Sequence, residues 1–210
     1  MTGISPGDYG CSVFINCPFD RDYREIFDAL IFSVMDAGLT PRCALEVADG
    51  TQNRLEKIMR IIERCRFGVH DLSRTEADPG SGLPRFNMPF ELGIFLGIKR
   101  AGNSRQRSKA CLILDRKPFR YQRFISDIAG HDIASHRDRP LTALTVLHDW
   151  INEFREGCDL PGAAEIARRY TQFQKQLPLI CRHLKRRRSE LSFNTYRKTV
   201  RIWLNQEKGI

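Results

Sequence analysis

The sequence predicts an α/β fold: a flavodoxin-like doubly wound parallel sheet of about five strands in the order 2-1-3-4-5, with a helical C-terminal appendage. Two observations carry this reading. Short apolar runs alternate with segments whose apolar residues recur at helical spacing, which implies a parallel sheet with helices on both faces. Two of the runs, Phe67-Gly68-Val69-His70-Asp71 and Ala110-Cys111-Leu112-Ile113-Leu114-Asp115, read as buried strands, and a helix carrying the acid Glu91 lies between them. That order sets Asp71 and Glu91 at the C-terminal edge of the sheet, where open α/β sheets bind ligands.

The elements follow in turn. Cys11 to Asn16 reads as the first strand and runs into the turn Cys17-Pro18-Phe19-Asp20. Asp20 is the N-cap candidate of a helix to about Ala37, with Tyr23, Ile26, Phe27, Leu30, Ile31 and Val34 at helical spacing and Gly38 as terminator. Thr40 to Leu45 is a second strand, followed by a polar loop, Glu46 to Gln52. Asn53 caps a helix with Leu55, Ile58, Met59, Ile62 and Cys65 on one face. Phe67 to His70 is the third strand.

Leu72 to Asn87 is a long loop rich in Asp, Gly, Ser and Pro, a type often functional in compact domains. Pro89 to Ile98 forms the apolar helix of Glu91, and a polar linker, Ala101 to Lys109, leads to the fourth strand. Phe119 to Ile128 reads as helical, Asp132 to Ala134 as a small fifth strand, and Leu141 to Glu156 as an amphipathic helix. The texture changes over Gly157 to Gly162. Ala163 to Gln176 and Leu177 to Asn205 are basic and helical. Residues 1–157 are therefore read as the α/β domain and 158–210 as a basic helical extension.

Bulk properties narrow the function. A chain of 210 residues, 41% hydrophobic and 28% charged, has the composition of a soluble globular protein. No apolar run approaches the roughly 18–20 residues of a membrane helix, and Met1 to Gly10 lacks a basic segment followed by an apolar core. A cytoplasmic protein with no membrane association is expected. The seven cysteines show no Cys-x-x-Cys spacing and read as buried thiols, with Cys17 set apart by its place in the loop that ends the first strand. The five histidines lack metal spacing, and neither a P-loop nor a G-x-G-x-x-G turn is present, so no metal and no cofactor are expected.

The net charge of +9 gathers near the C-terminus, at Lys185-Arg186-Arg187-Arg188 and at Arg197, Lys198 and Arg201. Such a patch is a solvated helix face, or it attracts anionic nucleotides, an acidic partner or, less favoured, nucleic acid. Phe193, Tyr196, Val200 and Trp203 form an apolar stripe that either packs on the main domain or binds a partner protein.

Glu91 has no evident structural task beside Phe90, Leu92, Ile94 and Phe95, other than stabilising its own helix N-terminus. Carboxylates attack, or stabilise charge at, a sugar anomeric carbon, because the transition state there resembles an oxocarbenium ion. Glu91 is thus a candidate nucleophile or acid/base. Asp71 is a candidate to orient the sugar or handle protons, with a turn cap on Ser73 as the plain alternative.

Three segments in order carry a resemblance over about Ser12 to Leu114. V-F-I-N-C-P-F-D (Val13 to Asp20), the strand-end Asp71, and P-F-E-L-G-I-F-L-G-I-K-R (Pro89 to Arg100) resemble nucleoside 2-deoxyribosyltransferases. The sheet-edge glutamate and opening strand are similar to those of Toll/interleukin-1 receptor-type NAD glycohydrolases. R-C-A-L-E, H-D-L-S-R-T-E and R-F-N-M-P-F-E-L-G also resemble a bacterial family with no assigned activity.

The resemblance implies Glu91 as nucleophile and Asp71 acting beside it. Asn16, Pro18, Phe19 and Asp20 would line the base or sugar pocket, and Arg85 and Asn87 would close it. It implies a nucleotide or NAD ligand, a homo-oligomer, and a setting in bacterial anti-phage defence. The chain departs from the transferases before the glutamate, where they carry an aspartate and a small Gly-Thr pair and this sequence has Arg85-Phe86-Asn87-Met88-Pro89. An arginine there, with Arg74 and Arg42 available, favours a phosphorylated ligand. A nucleotide-sensing module that keeps the fold without catalysis is the alternative.

Overall fold

The computed structural model describes residues 9–46, 51, 53–77, 80, 82–154 and 160–209. Strands β1 (Ser12–Asn16), β2 (Thr40–Arg42), β3 (Phe67–Asp71), β4 (Ala110–Asp115) and β5 (Ile133–Ser135) form one five-stranded sheet in the order β2-β1-β3-β4-β5. Every pairing is parallel, so the predicted fold class and strand order are those observed. The register aligns the C-terminal strand ends: Asn16 pairs with His70, Asp71 with Leu114, and Asp115 with Ser135. The chain moves outward from β1 to β2, then returns to add β3 on the other side of β1. The crevice above β1 and β3 is thus the topological switch point.

Side chains alternate across the strands and sort into two layers. Val13, Ile15, Phe67, Val69, Leu112 and Leu114 face α1 (Arg24–Asp36) and α5 (Pro140–Asn152). Phe14 and Ile113 face the other side, against α2 (Arg54–Glu63) and α3 (Asn87–Ala101). Asn53 caps α2, its Oδ1 accepting from the N–H groups of Leu55 and Glu56 at 2.9 and 3.3 Å. Lys109, 2% exposed, closes the other end of α2 by donating Nζ to the carbonyls of Ile62 and Cys65. Burial lowers that ammonium to about 8.

Helix α1 is apolar nearly all round because it is covered on both sides. Outside it lie α6 (Ala163–His183) and α7 (Phe193–Lys208), whose Tyr170, Phe173 and Trp203 rings stand 5.2, 5.5 and 5.9 Å from Phe32. Phe193, Tyr196, Val200 and Trp203 all belong to this core. The stripe open to two uses in the sequence therefore packs on the main domain. Several basic residues of the extension also serve it internally. Arg169 forks onto Asp36 at 3.0 and 2.6 Å, Arg188 reaches the buried Asp28, and Arg197 donates to the carbonyl of Pro41 at 3.1 Å.

Four local expectations change. Asp20 does not cap α1: its Oδ1 accepts from Tyr23 N at 2.9 Å in the preceding turn, and Tyr23 holds the cap position. The linker before β4 contains a short helix, α4 (Ser104–Arg107), capped by Asn103. Phe119 to Ile128 is not one helix but two 3-10 turns, Arg120–Arg123 and Ser126–Ile128. Phe119 is left-handed at φ 58° and Arg120 is drawn to Asp115 and the Leu72 carbonyl, so tertiary bonds override helical periodicity. Finally, α6 runs through Pro178 and stops at Leu184, because Leu177 and Cys181 are buried on one face across the proline.

Most of the polar loop after Glu46, the boundary expected after residue 157, and Cys158 lie outside the described residues. Among the described residues no helix is long and apolar enough to cross a membrane.

Candidate functional site

The polar residues gather where the parallel strands end. Asn16, the last residue of β1, donates Nδ2 to the carbonyl of Met88 at 2.8 Å and lies 3.0 Å from His70 Nδ1. It thereby ties the first turn of α3 to the two central strands. Burial pushes His70 down to about 3, so its imidazole is neutral. Gly68 lets α3 seat this closely: a Cβ there would meet Phe95 at 2.7 Å and His70 Nε2 at 2.8 Å.

This seating buries Glu91. It lies in the second turn of α3, on the face shared with Met88, Leu92 and Phe95, and is 7% exposed. Being past the first turn, it does not serve the helix N-terminus. Among the described residues its carboxylate has no hydrogen-bond or ion-pair partner. Burial pushes it up to about 7, against a pull downward from Arg54. A buried acid shifted toward neutrality, at the switch point and without a structural partner, is the pattern expected of a working group.

Asp71 is placed differently. It is fully buried, and both oxygens are engaged. Oδ1 accepts from Ser73 N at 2.8 Å, while Oδ2 accepts from Tyr23 Oη at 2.7 Å and lies 3.0 Å from His136 Nε2. His136 Nδ1 accepts from Asp138 N at 3.0 Å. The turn with Ser73 is thus present. Asp71 joins the ends of β3 and β5 to the start of α1. Cys17 is buried beside these acids, and burial, then Asp71, Cys43, Glu91 and Asp20, raise its thiol well above the ordinary range. It is no nucleophile in this setting.

A cavity of 410 Å³ is lined by Asp20, Asp22, Arg74, Glu76, Ala77, Arg85 and Arg116. Arg85 Nη1 stands 3.5 Å from Asp20 Oδ2. Arg116 pairs with Glu76, which also accepts from Arg120 at 2.9 Å. Arg120 further holds Asp115 Oδ1 at 2.8 Å and Thr75 at 3.1 Å, fixing the segment after β3.

Of the residues expected at the site, the structure brings Asp20, Arg74 and Arg85 together in this cavity. Asn16 and Pro18 are buried beneath the surface, and Phe19 is half-buried with its ring 5.2 Å from Phe27. Asn87 is exposed as the first residue of α3. Arg42 is excluded from such a site, since both its Nε and Nη2 are committed to Glu46 at 2.6 and 2.5 Å.

Sequence reasoning missed Tyr23, Asp22, Glu76, Arg116 and His136. For two of them a signal existed: Arg116 follows the last residue of β4, and His136 the last residue of β5. Among the described residues no group of three or more His, Cys, Asp or Glu side chains is placed to hold a metal ion. Compared with protein-family models, curated proteins and solved structures, the chain matches none of them.

Proposed function

We propose that this protein is a cytoplasmic enzyme that cleaves or transfers the N-glycosidic bond of a nucleoside, a nucleotide or NAD. The observation that carries the reading is Glu91: buried, unpartnered, raised to about 7, and seated at the switch point by Asn16 and Gly68. In the nucleophilic route a Glu91 oxygen bonds to C1′ of the sugar as the C1′–N bond breaks. The bonding pair leaves with the base nitrogen: the base of a nucleoside or nucleotide takes a proton from water, whereas nicotinamide leaves NAD neutral and takes none. Water or a second base then displaces Glu91 from C1′, and a water attacker releases its proton to solvent. Asp71 is a positioning residue in this scheme, holding Tyr23, Ser73 and His136 around the site. The resemblance noted in the sequence supports the same reading and supplies its setting, nucleotide depletion in defence.

One observation favours the second reading, a nucleotide sensor: Asp71 is enclosed and its oxygens are engaged, so it is not free to act as a second acid with Glu91. The two readings separate on incubating wild type and Glu91→Gln with nucleosides, nucleoside monophosphates and NAD, with free base read by mass. Base released by wild type alone supports the enzyme. No release from any substrate, with ligand-induced thermal stabilisation of both proteins, supports the sensor.

A further inference from the structure

We propose that the cavity lined by Asp20, Asp22, Arg74, Glu76, Arg85 and Arg116 is a subsite for a phosphorylated pentose. Arg74 and Arg116 would hold the phosphate, and the carboxylates would take the sugar hydroxyls. This deepens the glycosidic-bond reading, and rests on it for what lies beyond the sugar.

Arg74 is the central observation. It is partly buried, lines the cavity, and has no hydrogen-bond or ion-pair partner among the described residues. Its Nε is shut off from solvent without an acceptor. A guanidinium left in this state lacks the bonds its planar fork is built to make, and a phosphate supplies matching acceptors. Arg116 repeats the pattern: its Nε also lacks a partner, while Nη2 is steered by Glu76. Arg85 holds Asp20 only at 3.5 Å, with half of its side chain exposed, and is free to turn toward an anion.

The mixed charge then selects the ligand. Asp20, Asp22 and Glu76 repel a bare anion, but ionised carboxylates accept from hydroxyls. A cavity offering both guanidiniums and carboxylates suits a ligand carrying a phosphate and hydroxyls together. Its 410 Å³ lies within the range of small-molecule sites, about 300–1,000 Å³. Free nucleosides would use only half of these groups.

The test is calorimetric binding of ribose 5-phosphate, ribose and inorganic phosphate to the full chain. Wild type, Arg74→Gln and Arg116→Gln are compared. Arg74→Gln removes no described contact, so its fold should be intact, as checked by circular dichroism. Ribose 5-phosphate should bind wild type more tightly than inorganic phosphate, with ribose undetected. Each arginine variant should weaken it by roughly tenfold or more. Arg74→Lys should restore part of the affinity, and added salt should reduce it.

The proposal is overturned if ribose 5-phosphate does not bind folded wild type, or binds Arg74→Gln and Arg116→Gln as well as wild type. It is also overturned if inorganic phosphate alone matches the sugar phosphate. Binding as expected, with no base released from any nucleotide, would leave the subsite standing and remove the cleavage reading. Base release from unphosphorylated nucleosides that ignores both arginines would do the reverse.

Discussion

Replacing Glu91 by Gln should make the protein more stable at neutral and alkaline pH while removing its chemistry. Burial raises the Glu91 carboxyl from an ordinary 4.5 to about 7. A group raised in the folded state holds its proton more tightly there than in the unfolded chain. Its contribution to stability is therefore fully present below about pH 4.5 and is lost as pH rises through about 7. Each pH unit between the two values is worth about 1.4 kcal/mol, so by pH 8 the buried carboxylate costs roughly 3 kcal/mol. Most of that cost develops above pH 5.

Glutamine has nearly the same shape and no charge. The stability gain of Glu91→Gln should therefore be larger at pH 8 than at pH 5 by about 2–3 kcal/mol. For a chain of this size that is on the order of 5–10 °C in Tm. Thermal unfolding of both proteins at the two pH values measures it, and comparing the differences cancels every other titrating group. A gain that is flat across pH, or a variant less stable than wild type at pH 8, would show that Glu91 is not a strained, unpartnered acid. Glu91 would then have no physical claim to be a working residue.

Other outcomes follow from the same geometry. If ionised Glu91 attacks C1′, base release should rise with pH through about 7; a fall over that range would assign Glu91 as a proton donor instead. Tyr23→Phe removes the 2.7 Å bond to buried Asp71 and should cost about 1.5–3 kcal/mol in urea unfolding. Gly68→Ala places a methyl 2.7 Å from Phe95 and should cost about 1–3 kcal/mol, with activity falling as α3 is pushed from β1 and β3. Ending the chain at Gly162 removes the rings packed on Phe32 and leaves Asp36 without Arg169. The product should lack a cooperative unfolding transition by circular dichroism, and a folded, soluble fragment would contradict the shared core.

Much of the scaffold is legible in the sequence because each element satisfies a local rule. Val13-Phe14-Ile15 and Leu112-Ile113-Leu114 are apolar without interruption, as strands covered on both faces must be. Asn53 caps its helix in the way its side chain favours. Expectation failed where long-range bonds intervened. Arg120 breaks the expected helix after Phe119 by reaching back to Asp115 and Leu72. The apolar face running from Leu177 to Cys181 holds α6 together across Pro178, because buried contacts outweigh one lost backbone bond.

At the site the division has the same cause. Apolar period and the position of acids at strand ends, read from the sequence alone, determined a five-stranded parallel sheet with Glu91 and Asp71 at its C-terminal edge. Tertiary structure alone decided which of the two acids is committed. Asp71 is enclosed by Tyr23, Ser73 and His136, residues 48, 2 and 65 positions away along the chain, while Glu91 is buried with none. It also decided that Arg74, Arg85 and Arg116 share one cavity. Burial and the pairing of charges are properties of neighbours in space, and a sequence read along its length contains no record of who those neighbours are.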